Sequence, residues 1–200
     1  MAKERLKSPR ARLFIALDLP AALRAGIARW GKRELQDPAL RAVPEESLHI
    51  TLAFLGYMPE REIEALAEIV SSLRRPAPVA ELGDPVAKPS LRRARLFVLP
   101  VESPAIVSLQ AELQEKLVAA RLYKPEKRAF WPHVTAARVK SAGRGSRQPL
   151  GVSKPPGRLP KALLQATSCR RLALYRSELQ PQGARYIPLA QVELSEDGRQ

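Results

Sequence analysis

Leu48-His49-Ile50-Thr51-Leu52-Ala53-Phe54-Leu55 and, 84 residues after its histidine, His133-Val134-Thr135-Ala136-Ala137-Arg138-Val139 carry the only two histidines of this 200-residue chain. Each histidine is followed two positions later by a threonine, and the chain holds just three threonines, Thr51, Thr135 and Thr167. Randomly placed threonines would meet both histidines at that offset about twice in ten thousand trials, so composition does not explain the pairing. Both runs are short, apolar and β-branched, which reads as a strand. In a strand, residues i and i+2 share a face. Each run therefore sets an imidazole and a hydroxyl side by side. Two such surfaces facing each other make a site with two proton-transfer groups and two hydroxyl donors.

Outward from these strands the chain repeats itself. Ala11-Arg12-Leu13-Phe14-Ile15 returns 83 residues later as Ala94-Arg95-Leu96-Phe97-Val98, nearly the offset of the histidines. In the first half Pro20 leads into Leu23, Ile27 and Trp30; in the second Pro104 leads into Ile106, Leu109, Leu113 and Leu117. Proline at the first helical position followed by apolar spacings of three and four marks a helix. Each half reads strand, helix, His-x-Thr strand. One such repeat points to a pseudo-twofold pair of lobes rather than a solenoid.

The remaining elements follow from local signals. Residues 1–11 read as a basic tail ahead of one bilobal domain over 12–200, with repeat halves of about 12–90 and 91–194. Pro59 opens a second helix whose apolar face is Ile63, Leu66, Ile69, Val70 and Leu73, with Glu60 and Glu62 in the first turn, where acids suit the dipole. Residues 76–93, proline-rich and poorly patterned, read as the link between lobes. Residues 141–160, rich in Gly, Pro, Ser and basic side chains, read as a mobile surface loop. Two final strands, Arg171 to Ser177 and Ala184 to Leu194, are joined by the turn signal Gln180-Pro181-Gln182-Gly183.

Net charge is +14 with a pI near 10.6, a balance that attracts polyanions, although an arginine-rich proteome gives the same figure. The single cysteine, Cys169, excludes an internal disulfide and fits a reducing compartment. The apolar stretch after the basic start is broken by Asp18 and Pro20 and is too short for a signal peptide. No run approaches membrane-spanning length. A soluble, cytoplasmic, monomeric protein is expected.

The two histidines suit phosphate-ester chemistry. Opening a five-membered cyclic phosphate needs a water deprotonated on one side and a departing sugar oxygen protonated on the other. Imidazole titrates near neutrality, so one neutral and one protonated histidine can do both jobs. Short, rigid Thr51 and Thr135 hydroxyls suit the charge that grows on the non-bridging oxygens. No metal or other cofactor is expected: two histidines without Asp or Glu at ligand spacing make a poor donor set. A lone histidine in a strand is more often a satisfied, half-buried residue. Two copies at a repeat offset, using every histidine in the chain, reverse that balance.

Several segments resemble a known family. Arg12-Leu-Phe-Ile-Ala-Leu-Asp-Leu-Pro20, Leu48-His-Ile-Thr-Leu-Ala-Phe-Leu-Gly56, Phe130-Trp-Pro-His-Val-Thr-Ala-Ala-Arg138 and Tyr175-Arg-Ser…Gly183-Ala-Arg-Tyr186 look like signatures of the RNA 2′,3′-cyclic phosphodiesterases. These are two-histidine phosphoesterases long labelled 2′-5′ RNA ligases. The resemblance spans about Arg12 to Leu194. It implies an α+β fold of two pseudo-symmetric lobes, each an antiparallel sheet with helices on its outer face, around a central cleft with one His-x-Thr on each wall. It also implies metal-independent hydrolysis of RNA-terminal 2′,3′-cyclic phosphate to a 2′-phosphate. His49 would donate the proton to the 3′ oxygen and His133 would activate water; spacing alone leaves those roles interchangeable. The chain departs from the pattern in its small Ala136-Ala137 pair and in the length and charge of 141–160.

Three further residues are candidates for substrate binding. Strict alternation sends Arg138 to the face opposite His133; a bulge or the strand's end would re-aim it toward phosphate, and the family pattern carries an arginine there. Arg128 and Phe130 enter the same strand with Trp131, where an aromatic offers either a stacking surface for a terminal base or core packing. Substrates to expect are RNA ends bearing a 2′,3′-cyclic phosphate, tRNA fragments among them, or cyclic nucleotides. Two alternatives stay open: 2′-5′ joining of RNA halves by the same histidines, and a non-catalytic nucleotide- or RNA-binding module, against which both intact motifs argue.

Overall fold

Leu13, Ile15 and Leu17 alternate along β1 (Arg10–Asp18) and are fully buried, so this strand lays one whole face on the core. The computed structural model describes residues 9–143, 145–180 and 183–195. Pro20, with φ fixed near the helical value, starts α1 (Ala21–Glu34), which buries Leu23, Ile27 and Trp30. Then come β2 (Leu40–Ala42), β3 (His49–Pro59) and α2 (Ile63–Ser71), the last entered through a short 3-10 turn at Glu60–Glu62. β4 (Val79–Leu82), β5 (Val86–Lys88) and β6 (Leu96–Glu102) follow. Ser103 caps α3 (Pro104–Ala119) by accepting from the Ile106 N–H at 3.2 Å. That helix buries Ile106, Leu109, Leu113 and Leu117. The chain ends in β7 (His133–Val139), β8 (Thr167–Ser168), β9 (Arg171–Gln180) and β10 (Gly183–Glu193).

The strands form one antiparallel path, β10-β9-β1-β3-β7-β6-β4-β8, with β2 added on β7 and β5 on β6. At its middle, β3 and β7 share one register pair, Ile50 with Val134, and then part. β2 takes over that edge of β7, pairing Arg41 with Arg138, and Val43 N–H donates to the Ala136 carbonyl at 2.8 Å. The two walls of an α+β bilobal molecule thus diverge from a seam beside the histidines. One core cluster draws from β1, β3, β7, β9 and all three helices, so it continues across that seam.

Four expectations change. The halves 12–90 and 91–194 do not map one to one onto the walls: β9 and β10 complete the sheet of β1 and β3, while β2, β4 and β5 pair within the sheet of β6 and β7. Residues 76–93 supply two of those strands, too short to show an alternation in sequence. Of the tail 1–11, residues 1–8 lie outside the described residues, but Arg10 and Ala11 pair with Pro59 and Met58 in β1. The loop 141–160, of which Arg144 lies outside the described residues, is pinned rather than loose. The buried Asp37 carboxylate accepts from Ser153 N–H, Ser153 Oγ–H and Lys154 N–H, each at 2.8 Å. The Lys154 bond foremost, then one from Ala39 N–H at 2.8 Å and those from Ser153, hold its carboxyl down to about 2. Farther on, Leu159 N–H donates to Asp84, and Trp30 Nε1–H donates to the Arg158 carbonyl. Pro181 and Gln182, the centre of the expected turn, lie outside the described residues.

The reading of the repeat changes too. β1 sets Asp18 opposite His49, and β6 sets Pro100 opposite His133. The two strands therefore correspond at an offset of 82 residues, one less than their sequence match. A slip of one residue reverses every side chain. Phe14 consequently faces the cleft, whereas Phe97 is buried with Leu40, Ala94 and Ala137.

Candidate active site

β3 and β7 present their motifs in the same way. From the histidine onward both read half-buried, buried, half-buried, buried, buried, exposed. The break in alternation has one cause in both strands. β1 skips Leu52, pairing Ala16 with Thr51 and Ile15 with Ala53. β6 skips Ala136, pairing Val98 with Thr135 and Phe97 with Ala137. Each skip is a bulge that turns the fifth residue after the histidine back onto the cleft face. That residue is Phe54 on one wall and Arg138 on the other.

Each imidazole is tied back at the same atom. His49 Nδ1–H donates to the Ser47 carbonyl at 2.8 Å, and His133 Nδ1–H donates to the Trp131 carbonyl at 2.9 Å. The tautomer this fixes leaves Nε2 free for chemistry. His49 Nε2 lies 3.0 Å from Thr51 Oγ1, whose hydroxyl donates to it. Around His49 the wall is aromatic. Phe14 stacks on its ring at 5.0 Å and on Tyr175 at 5.2 Å, while Tyr186 meets it edge-on at 5.3 Å. His133 stacks on Trp131 at 5.2 Å, and the Lys88 ammonium sits 4.0 Å over that indole.

Burial pushes His49 down to about 4; the Ser47 carbonyl and the Asp18 charge act against this, while Arg138 and His133 add to it. Asp18 is itself buried, its two oxygens share the single proton of the Tyr175 hydroxyl (2.7 and 2.9 Å), and it pairs with Arg171 at 2.8 Å. Burial and the Asp18 carboxylate together keep the Tyr175 phenol protonated. Cys169 is fully buried away from the cleft, with its thiol pushed up to about 12 by burial.

His49, Thr51, His133, Thr135 and Arg138 line one cleft of about 440 Å³. Arg12 and Arg41 join them, and no carboxylate is among the described lining residues. Arg41 stands directly across the strand pair from Arg138, and neither has a carboxylate partner among the described residues. Like charges so placed oppose each other, and an anion between them relieves the cost. Arg128 and Phe130 lie elsewhere, in an adjoining cavity of about 150 Å³ that shares Thr51, Phe54 and His133 with the cleft. Sequence reading left out Arg12, Arg41, Phe54, Ser177 and Tyr186 as site residues. Arg12, Phe54, Ser177 and Tyr186 sit inside the signature segments, where their presence could have flagged them; Arg41 carries no such signal.

The family model described as the 2′-5′ RNA ligase superfamily matches residues 19–147, a span that contains both histidine motifs. The chain belongs to the 2′-5′ RNA ligase superfamily. Within it, a protein of Escherichia coli (strain K12) named RNA 2′,3′-cyclic phosphodiesterase is 31% identical over 129 residues, 64% of this chain and 71% of the relative. A protein of the same name from Methanothermobacter thermautotrophicus is 31% identical over 183 residues, covering 89% of this chain and 96% of the relative. Among solved superfamily structures, Escherichia coli LigT complexed with 3′-AMP superposes with a TM-score of 0.73 at 28% identity. The superposition covers 94% of this chain and 99% of that one.

Proposed function

We propose that this protein hydrolyses RNA-terminal 2′,3′-cyclic phosphates to 2′-phosphates, with His49 and His133 as an acid–base pair. The observation that carries the reading is the matched tethering of both imidazoles at Nδ1 in a cleft lined by arginines and free of described carboxylates. In the reaction, a water oxygen bonds to phosphorus as its proton passes to one Nε2. The P–O3′ bond breaks, and O3′ takes its proton from the other. Thr51 and Thr135 hydroxyls and the Arg138 guanidinium meet the non-bridging oxygens as their charge grows.

With its pKa near 4, His49 is neutral in the empty cleft at pH 7. Its role as donor, which the family resemblance implies, requires a proton acquired with the substrate. The phosphate anion supplies the stabilising charge, and Asp18 and the Ser47 carbonyl act in the same direction. Accepting that proton at Nε2 also releases the Thr51 hydroxyl to turn toward the phosphate. The reading includes RNA ends, tRNA fragments among them, as substrates and a monomer working in the cytoplasm. No helix among the described residues is long and apolar enough to cross a membrane.

The test is an assay with EDTA on a nucleoside 2′,3′-cyclic phosphate, the product identified by ³¹P NMR. Turnover to the 2′-phosphate is expected. Loss of turnover in EDTA with recovery on adding a divalent metal would overturn the two-imidazole mechanism. A 3′-phosphate product would reverse the assignment of the leaving oxygen. A second incubation with RNA halves bearing a cyclic phosphate and a 5′-hydroxyl reads out joining instead of hydrolysis.

A further inference from the structure

β2 is three residues long, and only its middle residue brings a charge to the cleft. Leu40 is buried with Ala94, Phe97 and Ala137 in the smaller core cluster, and Ala42 ends at its methyl. Backbone bonds fix the strand at both ends: Leu40 N–H donates to the Asp37 carbonyl and Val43 N–H to the Ala136 carbonyl, each at 2.8 Å. The Asp37 side chain accepts from Ala39 N–H at 2.8 Å and ties the same turn to the 150s loop. Arg41 is therefore an exposed side chain on a rigid base. Other cations near the histidines are already occupied. Arg12 donates to Ser177 Oγ at 2.8 Å and lies 4.8 Å from the Phe54 ring, and Lys88 sits 4.0 Å over the Trp131 ring. Arg138 meets the reacting phosphate in the mechanism above. Arg41 stands across the strand pair from it, with no carboxylate partner among the described residues.

The charge of the site points to a second anion. A 2′,3′-cyclic phosphate is a diester with one negative charge spread over two non-bridging oxygens. Thr51, Thr135 and Arg138 already meet those oxygens, and His49 adds a positive charge once it is protonated. One monoanion leaves positive charge uncompensated on the Arg41 side of a cleft free of described carboxylates. We propose that Arg41 binds the phosphodiester on the 5′ side of the terminal nucleotide, so that the site holds an RNA end by two consecutive phosphates. This rests on the phosphodiesterase reading above. Directly opposed residues of an antiparallel pair have Cβ atoms ~5 Å apart, and two long arginine stems let their guanidiniums spread to the separation of neighbouring phosphates. The ribose spans that step: C3′ carries the reacting group, and C4′ and C5′ lead to the next phosphate. Phosphate contacts of this kind fix position without reading bases.

The experiment measures binding of adenosine 3′-phosphate and adenosine 3′,5′-bisphosphate by titration calorimetry in wild type, Arg41→Met, Arg41→Lys and Arg29→Met. Arg41 is exposed, so neither replacement opens the core. Arg29, exposed on α1 and outside the cleft lining, removes the same charge elsewhere. Wild type should bind the bisphosphate about tenfold more tightly, the worth of one added charged hydrogen bond. Arg41→Met should lose that gain while its affinity for the 3′-phosphate changes less. Arg41→Lys should keep part of the gain, lacking the planar fork, and Arg29→Met should keep it all. Adenosine 2′,3′-cyclic phosphate with and without a 5′-phosphate should show the same split in KM, with kcat alike. No gain in wild type, a gain that survives Arg41→Met, or equal losses on both ligands in Arg41→Met would overturn the subsite. An equal loss in Arg29→Met would do the same, because the gain would then belong to the overall charge. If wild type turned over neither cyclic phosphate, the phosphodiesterase reading would fall. The calorimetric split would still decide the role of Arg41.

Discussion

β3 and β7 share a motif, a tethered histidine and a bulge, and differ in what surrounds these features. On β3 the imidazole lies under Phe14 and against Tyr186, with the Asp18–Tyr175–Arg171 cluster behind, and the bulge presents Phe54. On β7 the imidazole rests on Trp131, and the bulge presents Arg138 beside Arg41. One bulge presents an aromatic ring, the other a guanidinium. A duplicated backbone therefore supplies matched geometry, and side-chain divergence makes the site directional.

The sharpest way to break this comparison is to remove each histidine. His49→Ala and His133→Ala should each lower kcat on a nucleoside 2′,3′-cyclic phosphate by about 10² to 10⁴, the usual worth of a positioned acid or base. The double variant should be little worse than the poorer single, because the two groups act in one step. Near wild-type turnover in either single would reduce the site to one working histidine and end the pairing of the walls.

A smaller effect is expected from Arg138. Arg138→Leu should lower kcat/KM by about 10- to 100-fold, the worth of a charged hydrogen bond to the phosphate. Lysine at this position should recover only part, since it lacks the planar fork. If Arg138→Leu left kcat/KM unchanged, the cationic wall would not be where the phosphate sits, and the contrast with Phe54 would lose its meaning.

The smallest effect is the most specific to the buried wall. An NMR titration should find the His49 imidazole changing near pH 4 rather than at the ordinary 6.5. Adding adenosine 3′-phosphate should move that transition upward. Because the folded pKa is the lower one, the unfolded chain takes up the proton first as pH falls. The stability owed to neutral His49 is full above about 6.5 and is lost as pH drops toward 4. Denaturant midpoints across that window, in wild type and His49→Phe, check the sign. A His49 that titrates at 6.5 and ignores the nucleotide would show that its aromatic cover does not dry it.

The sequence by itself determined what depends on near neighbours. Proline starts and apolar spacing placed α1 and α3, since helix signals act within a turn or two. Short apolar runs placed β1, β3 and β7, and the paired His-x-Thr motifs marked the candidate site. Tertiary structure decided what depends on distant partners. The bulges at Leu52 and Ala136, which re-aim Phe54 and Arg138, exist only in the pairing with β1 and β6. Arg41 enters the cleft because β2 replaces β3 on the edge of β7. The depth of His49 comes from rings on β1 and β10. The anchoring of the 150s loop comes from Asp37, more than a hundred residues earlier. Even the repeat misleads by one position, because a similar pentapeptide records composition, whereas the face each side chain takes is set by the hydrogen-bond register with the neighbouring strand.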